Sequence, residues 1–314
     1  MIPTLNVPQT EFSFSRIGFG CEQLGMYDWG DVDQNAIKMA IGEALESGIN
    51  YFDTADVYGL GDSERNLGVF LGNKRKKIHI ITKFGVRFKS KQRYFDNSPK
   101  WINSAIEQSL KRLKTDYIDL YQLHFWDGIT ELDLILETLL RLRDSGKIRA
   151  FGFSNLAYSL LINKTEFINH FSSCSYEYSL AEKKNETTIM SLQKNMIFLA
   201  YGGLGQGILT GKYNRNSVFK NNDRRSSGRY ANFFGNKLER NLAIVDVLKY
   251  ISKCYNVSIP SVALRYIIDS ISNSSIICGM KNRNQLQSNL EVFTFSLNQS
   301  ELELLNNVSY EKVQ

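Results

Sequence analysis

The sequence predicts a single-domain α/β protein built as a closed (β/α)8 barrel, the TIM-barrel architecture, on three observations. Short apolar runs alternate with amphipathic segments along almost all of the 314 residues. The runs are continuous rather than alternating, which is the pattern of strands buried on both faces of a parallel sheet. They number eight within about 260 residues, close to the usual barrel size of roughly 250.

In order, the strand-like runs are "RIGFGC" (16–21), "INYFD" (49–53), "IHIITKF" (78–84) and "IDLYQLH" (118–124), then "IRAFGFS" (148–154), "SCSYEYS" (173–179), "MIFLAYG" (196–202) and "SSIICG" (274–279). Helical periodicity fills the intervals. "NAIKMAIGEALESG" repeats apolar residues at three and four and stops on Gly48. "SERNLGVFLG" opens on Ser63 as a cap, and "SPKWINSAIEQSLKRLKT" opens on Ser98 and Pro99, a cap and first-turn pair. "ITELDLILETLLRLRDSG" ends on Gly146, and further helices fit 156–169, 185–194, 237–255 and 260–271. An open doubly wound sheet would carry G-x-G-x-x-G after its first strand. Here "GFGCEQLG" places Gln23 where the third glycine would fall, so the closed barrel is preferred. One domain spans 1–314, and its longest irregular connection is 203–235, a length that usually marks a functional or mobile loop.

Composition narrows the function. With 43% hydrophobic and 22% charged residues the chain has ample core material, and a net charge of +6 suits an anionic cofactor better than nucleic acid. The four cysteines and three histidines are scattered, so neither a zinc site nor a disulfide framework is suggested. No stretch approaches the roughly 20 apolar residues needed to span a bilayer, and the N-terminus lacks a signal-peptide pattern. The expectation is a cytoplasmic protein with a small-molecule substrate, no nucleic acid, no membrane and no metal, monomeric or a small homo-oligomer.

In a parallel barrel the chemistry sits at the C-terminal ends of the strands. Three consecutive strand patterns end in ionisable residues, Asp53, Lys83 and His124, and Tyr58 follows the first of them by five positions. A tyrosine hydroxyl has an ordinary pKa near 10 and is a reluctant acid at pH 7. A nearby ammonium would draw that pKa down, and a carboxylate would hold the ammonium in place. Asp53 is expected to serve Lys83, Lys83 to serve Tyr58, and His124 to orient a carbonyl oxygen.

The stretches "GINYFDTADVYGLGDSERNLG", "IITKFG", "DYIDLYQLHFWD", "GKIRAFGFSN", "YGGLGQGILTGKY" and "GMKNRNQLQSN" resemble, in order and spacing, blocks of the aldo-keto reductase family. The resemblance covers nearly the whole chain. It implies an NADP(H)-dependent oxidoreductase that reduces an aldehyde or ketone, a sugar or sugar derivative among them, with Asp53, Tyr58, Lys83 and His124 as the catalytic tetrad. It also implies that Ser154 and Asn155 hold the nicotinamide carboxamide and that Tyr201 stacks on the nicotinamide ring. The turn at Leu204 and Gly205 would face the pyrophosphate, and Gly279, Met280, Lys281, Gln285 and Asn289 would bind the adenosine 2′-phosphate and adenine. Lys281 favours NADPH over NADH. The family also contains NADPH-binding regulatory subunits of potassium channels, so a regulatory or sensor protein is the alternative.

The chain departs from that pattern in three places. Ser175 stands where the family usually places a carboxamide-contacting Gln, and Gly202-Gly203 replaces a Ser-Pro pair; both would loosen nicotinamide placement. Arg283 replaces a common Pro and would either touch the 2′-phosphate or be solvated. Trp29 and Trp126 are the leading substrate-wall residues, with Tyr27, Phe84, Phe88 and Phe125 behind them. Basic residues Arg87, Lys89, Lys91 and Arg93 follow the third strand, and Lys212, Arg215, Lys220, Arg224, Arg225 and Arg229 lie in the long loop. These would be solvated, close over the pyrophosphate or grip a phosphorylated or nucleotide-linked sugar.

Overall fold

The computed structural model describes residues 1–310 apart from Lys91, Asn163 and Arg229. Two of the basic loop residues singled out above, Lys91 and Arg229, therefore lie outside the described residues. All eight apolar runs form parallel strands: β1 (Ile17–Gly20), β2 (Tyr51–Asp53), β3 (His79–Phe84), β4 (Ile118–Leu123), β5 (Ile148–Ser154), β6 (Ser173–Glu177), β7 (Ile197–Tyr201) and β8 (Ser274–Gly279). They pair in sequence order and β8 pairs with β1, closing the barrel.

Side chains alternate across each strand, so one parity fills the barrel and the other packs under the helices. Tyr51, Ile81, Leu120, Ala150, Ile197, Leu199 and Ile277 form the inner cluster, together with Val7 and Phe14 of an N-terminal hairpin (Thr4–Asn6 with Ser13–Ser15). Phe52, Ile80, Tyr121 and Phe198 face the helices. Gly18 makes room inside: a Cβ there would lie 2.0 Å from Tyr51 Cζ. The inward parity that begins at Tyr51, Ile81 and Leu120 continues two residues on to Asp53, Lys83 and Gln122, and then to His124 just past β4. The polar mouth is thus an extension of the apolar core.

Several features differ from the sequence expectation. Ser63 does not cap its helix (Asp62–Leu71) but lies in the first turn, where its hydroxyl donates to the Cys21 carbonyl at 2.6 Å. The helix expected over 156–169 is two pieces, Tyr158–Leu161 and Thr165–Asn169. After β3 the chain forms a hairpin, Val86–Lys89 with Gln92–Phe95, that stands at the mouth. Helices Arg283–Leu290 and Gln299–Tyr310 complete the outer layer. The long connection after β7 is a series of short turns, one of which reaches the loop after β1 through a bridge between Trp29 and Asp223. Among the described residues no helix is long and apolar enough to cross a membrane.

Candidate active site

Asp53 and Lys83 meet inside the mouth, their side chains 5% and 4% exposed. Lys83 Nζ donates to both carboxylate oxygens of Asp53 at 2.8 Å and to the Thr54 carbonyl at 2.8 Å. Burial pushes the Asp53 carboxyl up, and the Lys83 ammonium opposes that push.

Tyr58 is set by a contact between two glycines. It begins the short turn Tyr58–Gly61, in which Gly59 has φ +57°. A Cβ on Gly59 would lie 2.3 Å from the Gly25 carbonyl oxygen, and one on Gly25 would lie 2.7 Å from the Gly59 nitrogen. Only two bare backbones fit there, and their contact holds the turn against the segment after β1. Tyr58 then meets His124 edge to face, with ring centroids 6.0 Å apart, and Lys83 Nζ lies 5.3 Å from the Tyr58 ring centroid. The backbone of His124 continues the β3–β4 ladder, its N–H donating to the Phe84 carbonyl at 2.9 Å.

The electrostatics correct one expectation. Tyr58 is held well above the ordinary tyrosine value, by burial first and then by the charges of Glu22 and Asp53. Arg224 of the long loop is a cation that opposes the shift. Lys83 arrives paired with Asp53, so the tyrosine faces a nearly neutral couple there. His124 is shifted well below 6.5, by burial and by the charges of Lys83 and Arg93, and is a neutral imidazole at pH 7. Its Nδ1 is buried without a partner among the described residues.

A second set of groups runs along the neighbouring strands β5 to β8. The Tyr201 hydroxyl donates to Asn155 Oδ1 at 2.7 Å, and Asn155 Nδ2 donates to Ser154 Oγ at 2.8 Å and to the His124 carbonyl at 3.3 Å. Ser175 lies beneath, hydrogen-bonded to Gln122: the Gln122 amide donates 3.0 Å bonds to both Ser173 Oγ and Ser175 Oγ. Where the sixth strand offers a short hydroxyl, β4 supplies the amide. Leu204 and Gly205 form a turn closed by the Gly205 N–H on the Gly202 carbonyl at 2.8 Å, with Gly202 and Gly205 at φ +68° and +54°.

At the end of β8, Gly279 is exposed, whereas the Met280 side chain is fully buried. Its carbonyl already accepts from Gln23 Nε2 at 3.1 Å. The Lys281 N–H donates to Gln285 Oε1 at 2.8 Å, and Lys281 Nζ donates to the Trp29 carbonyl. Asn289 is buried one turn beyond Gln285. Arg283 is exposed to solvent, the second of its two expectations, and is ion-paired with Glu43 of the first helix. An aromatic face, an amide–hydroxyl pair, a glycine turn and a lysine in this succession suit an elongated nucleotide cofactor.

The pocket walls are sorted by the same geometry. Trp126 spends its indole N–H on the Thr130 carbonyl at 2.7 Å, so only its ring is free. Phe84 belongs to the core, packed on Tyr121 with centroids 4.8 Å apart. Tyr27 and Phe88 are exposed, and Phe125 stacks between His124 and Phe95. Trp29 sits under the long loop, its Nε1 buried without a partner among the described residues. Glu22 and Gln122 were missed by the sequence reading, which had Arg224 only among the basic residues of the long loop. Only Gln122 carried a signal, two residues before His124 and therefore of inward parity.

Comparisons with known proteins agree over this whole frame. The sequence profile of the Aldo/keto reductase family matches residues 16–309. The chain is 30% identical over 286 residues to "Aldo-keto reductase yakc [NADP(+)]" of Schizosaccharomyces pombe, covering 87% of this chain and 82% of that protein. It is 28% identical over 322 residues to the "NADH-specific methylglyoxal reductase" of Escherichia coli, covering 96% of each. Among solved structures, the glycerol dehydrogenase of Gluconobacter oxydans superposes with a TM-score of 0.88 at 31% identity, over 99% of this chain and 96% of that one.

Proposed function

Because the chain belongs to the aldo/keto reductase family, we propose that it reduces an aldehyde or ketone to the alcohol with NADPH, Tyr58 giving the proton. The observation that carries this reading is the convergence of Tyr58 and His124 at the mouth above a buried Asp53–Lys83 pair.

A nicotinamide cofactor held by the residues named below would supply the hydride for the carbonyl carbon. The protein does the rest. His124, neutral at pH 7, donates an N–H to the carbonyl oxygen and sets its direction. Tyr58 holds its proton through the working range and releases it only as negative charge develops on that oxygen. The phenolate so formed lies beside the Lys83 ammonium, which Asp53 keeps in place. Run backwards, the same hydroxyl is the base for alcohol oxidation.

Ser154 and Asn155 would hold the carboxamide, with Ser175 and its Gln122 partner beneath them, and Tyr201 would present its face to the ring. Leu204 and Gly205 would meet the pyrophosphate. Gly279, the Met280 backbone, Lys281, Gln285 and Asn289 would meet the adenosine end. NADPH is preferred to NADH because Lys281 offers a cation for a 2′-phosphate. The names of the relatives point both ways, one to NADP(+) and one to NADH.

The test is cofactor oxidation by the purified protein against a carbonyl panel, beside Tyr58→Phe. General acid catalysis contributes roughly 10²–10⁴ in rate. Loss of that order with NADPH binding retained is the expected result. Tight binding without turnover of any carbonyl would overturn the proposal.

A further inference from the structure

The His124 ring reaches the mouth with no hydrogen bond to steady its inner nitrogen: Nδ1 is buried and has no partner among the described residues. A histidine ring is ordinarily aimed by the bond that its second nitrogen makes. Here packing takes over that task. The ring stacks on Phe125, with centroids 4.9 Å apart and planes 27° from parallel, and Phe125 stacks in turn on Phe95 at 5.4 Å. Whatever fixes Phe125 therefore fixes the direction in which His124 faces a substrate.

The backbone of Phe125 is held by Asn97, a fully buried residue of the loop after β3. Asn97 Nδ2 donates to the Phe125 carbonyl at 3.2 Å. Its Oδ1 accepts from the Asp127 N–H at 2.6 Å, and its own N–H donates to Asp127 Oδ2 at 2.9 Å. The Asp127 carboxylate also accepts from the Ile129 N–H, the Thr130 N–H and the Thr130 hydroxyl at 3.0, 2.8 and 2.6 Å. Gly85, at φ +107°, makes the room: a Cβ there would lie 2.4 Å from Asn97 Nδ2 and 3.1 Å from the Phe125 carbonyl oxygen. Losing the Asn97 side chain would leave the Phe125 carbonyl and the Asp127 N–H without these partners, so the segment after β4 would have to move to find others. We propose that Asn97, Phe125 and Asp127 are positioning residues for the reduction, a knot between the loops after β3 and β4 that aims the His124 ring at the carbonyl oxygen. The assignment rests on the reductase reading and adds to it the groups that set its geometry.

The experiment is a double-mutant cycle on carbonyl reduction: wild type, Asn97→Ala, His124→Gln and the two together, with NADPH affinity measured for each. A loop that misplaces His124 should lower kcat in Asn97→Ala by roughly ten- to a hundredfold, the range that a small displacement of a reacting group costs, with NADPH affinity unchanged. In the His124→Gln background the same substitution should cost less than about twofold, because residues that act as a unit are not additive. The same factor in both backgrounds, a loss confined to NADPH affinity, or a rate equal to the wild type would overturn the assignment and leave the reductase intact. Phe125→Leu removes the stack and leaves the Asn97 bonds in place. It should give the same pattern, and it carries the test if Asn97→Ala does not fold. If the wild type turns over no carbonyl, the reductase reading fails separately. In that case, or where His124→Gln is too slow to measure, the positioning is judged by NMR of the histidine rings of the purified protein. Asn97→Ala should move the His124 signals and leave those of His79 and His170 in place, whereas unmoved His124 signals would refute the assignment.

Discussion

The Lys83 ammonium lies 5.3 Å from the centre of the Tyr58 ring, while its hydrogen bonds go to Asp53 and the Thr54 carbonyl. The lysine therefore meets the tyrosine through its ring face and through space, and its first structural duty is to the buried aspartate. Lys83→Met would leave Asp53 buried without its cation, a change that costs about 3–5 kcal/mol. Urea unfolding of Lys83→Met should show a loss of that size, and the double variant Asp53→Asn with Lys83→Met should recover part of it. A single variant as stable as the wild type would mean that the pair holds nothing together.

His124 gives a pH signature. Its folded pKa lies below the ordinary 6.5, so between the two values the unfolded chain binds more protons. Its contribution to stability is complete above about 6.5 and is lost as pH falls, at about 1.4 kcal/mol per pH unit until the folded pKa is reached. Thermal or urea unfolding from pH 7 to pH 5 should follow that slope, less steeply in His124→Gln. Identical slopes in both proteins would contradict it. Because His124 is already neutral at pH 7, carbonyl reduction should not titrate with it across the neutral range.

The glycine contact beneath Tyr58 predicts a second kind of failure. In Gly59→Ala the new methyl meets the Gly25 carbonyl at 2.3 Å in a backbone with φ +57°. The turn must shift and carry Tyr58 with it. Reductase activity should fall by at least about tenfold, since small misplacements of a reacting group can cost up to roughly 10²-fold. Gly42→Ala, where a Cβ meets nothing within 4 Å, is the control. Equal activity in the two variants would show that the contact does not position the tyrosine.

Cofactor choice can be read from Lys281. A charge-assisted contact to a 2′-phosphate is worth about 1.5–3 kcal/mol, so Lys281→Ala should weaken NADPH binding by roughly ten- to a hundredfold. NADH binding should change far less. Equal losses for both would assign the lysine to the loop it already ties, through the Trp29 carbonyl.

How much of this was legible in the chain follows from the range of the forces involved. The eight strands were readable because burial on both faces writes a continuous apolar run into local sequence. Their inward parity carried Asp53, Lys83 and His124 to one mouth, since alternation along a strand is a local rule. Helix starts were less secure: Ser98 caps as expected, accepting from the Trp101 N–H, whereas Ser63 turns to the Cys21 carbonyl because a neighbouring segment offers a better acceptor.

What the chain did not disclose are meetings between segments far apart in sequence. Arg224 finds Glu22 across 202 positions, Arg283 finds Glu43 across 240, and Gln122 reaches Ser175 from a different strand. No period or spacing encodes such pairs; they arise when barrel closure brings loop ends to one rim. The direction of the Tyr58 shift belongs to the same class. A lysine and a tyrosine in the right motif suggested a lowered pKa, but burial and the facing carboxylates of Glu22 and Asp53 push it the other way. Composition and periodicity reach the fold and the list of chemical groups, because each depends on neighbours a few residues away. Charge balance at the mouth depends on which groups fold into it and how much water they exclude, and that is a property of the packed barrel.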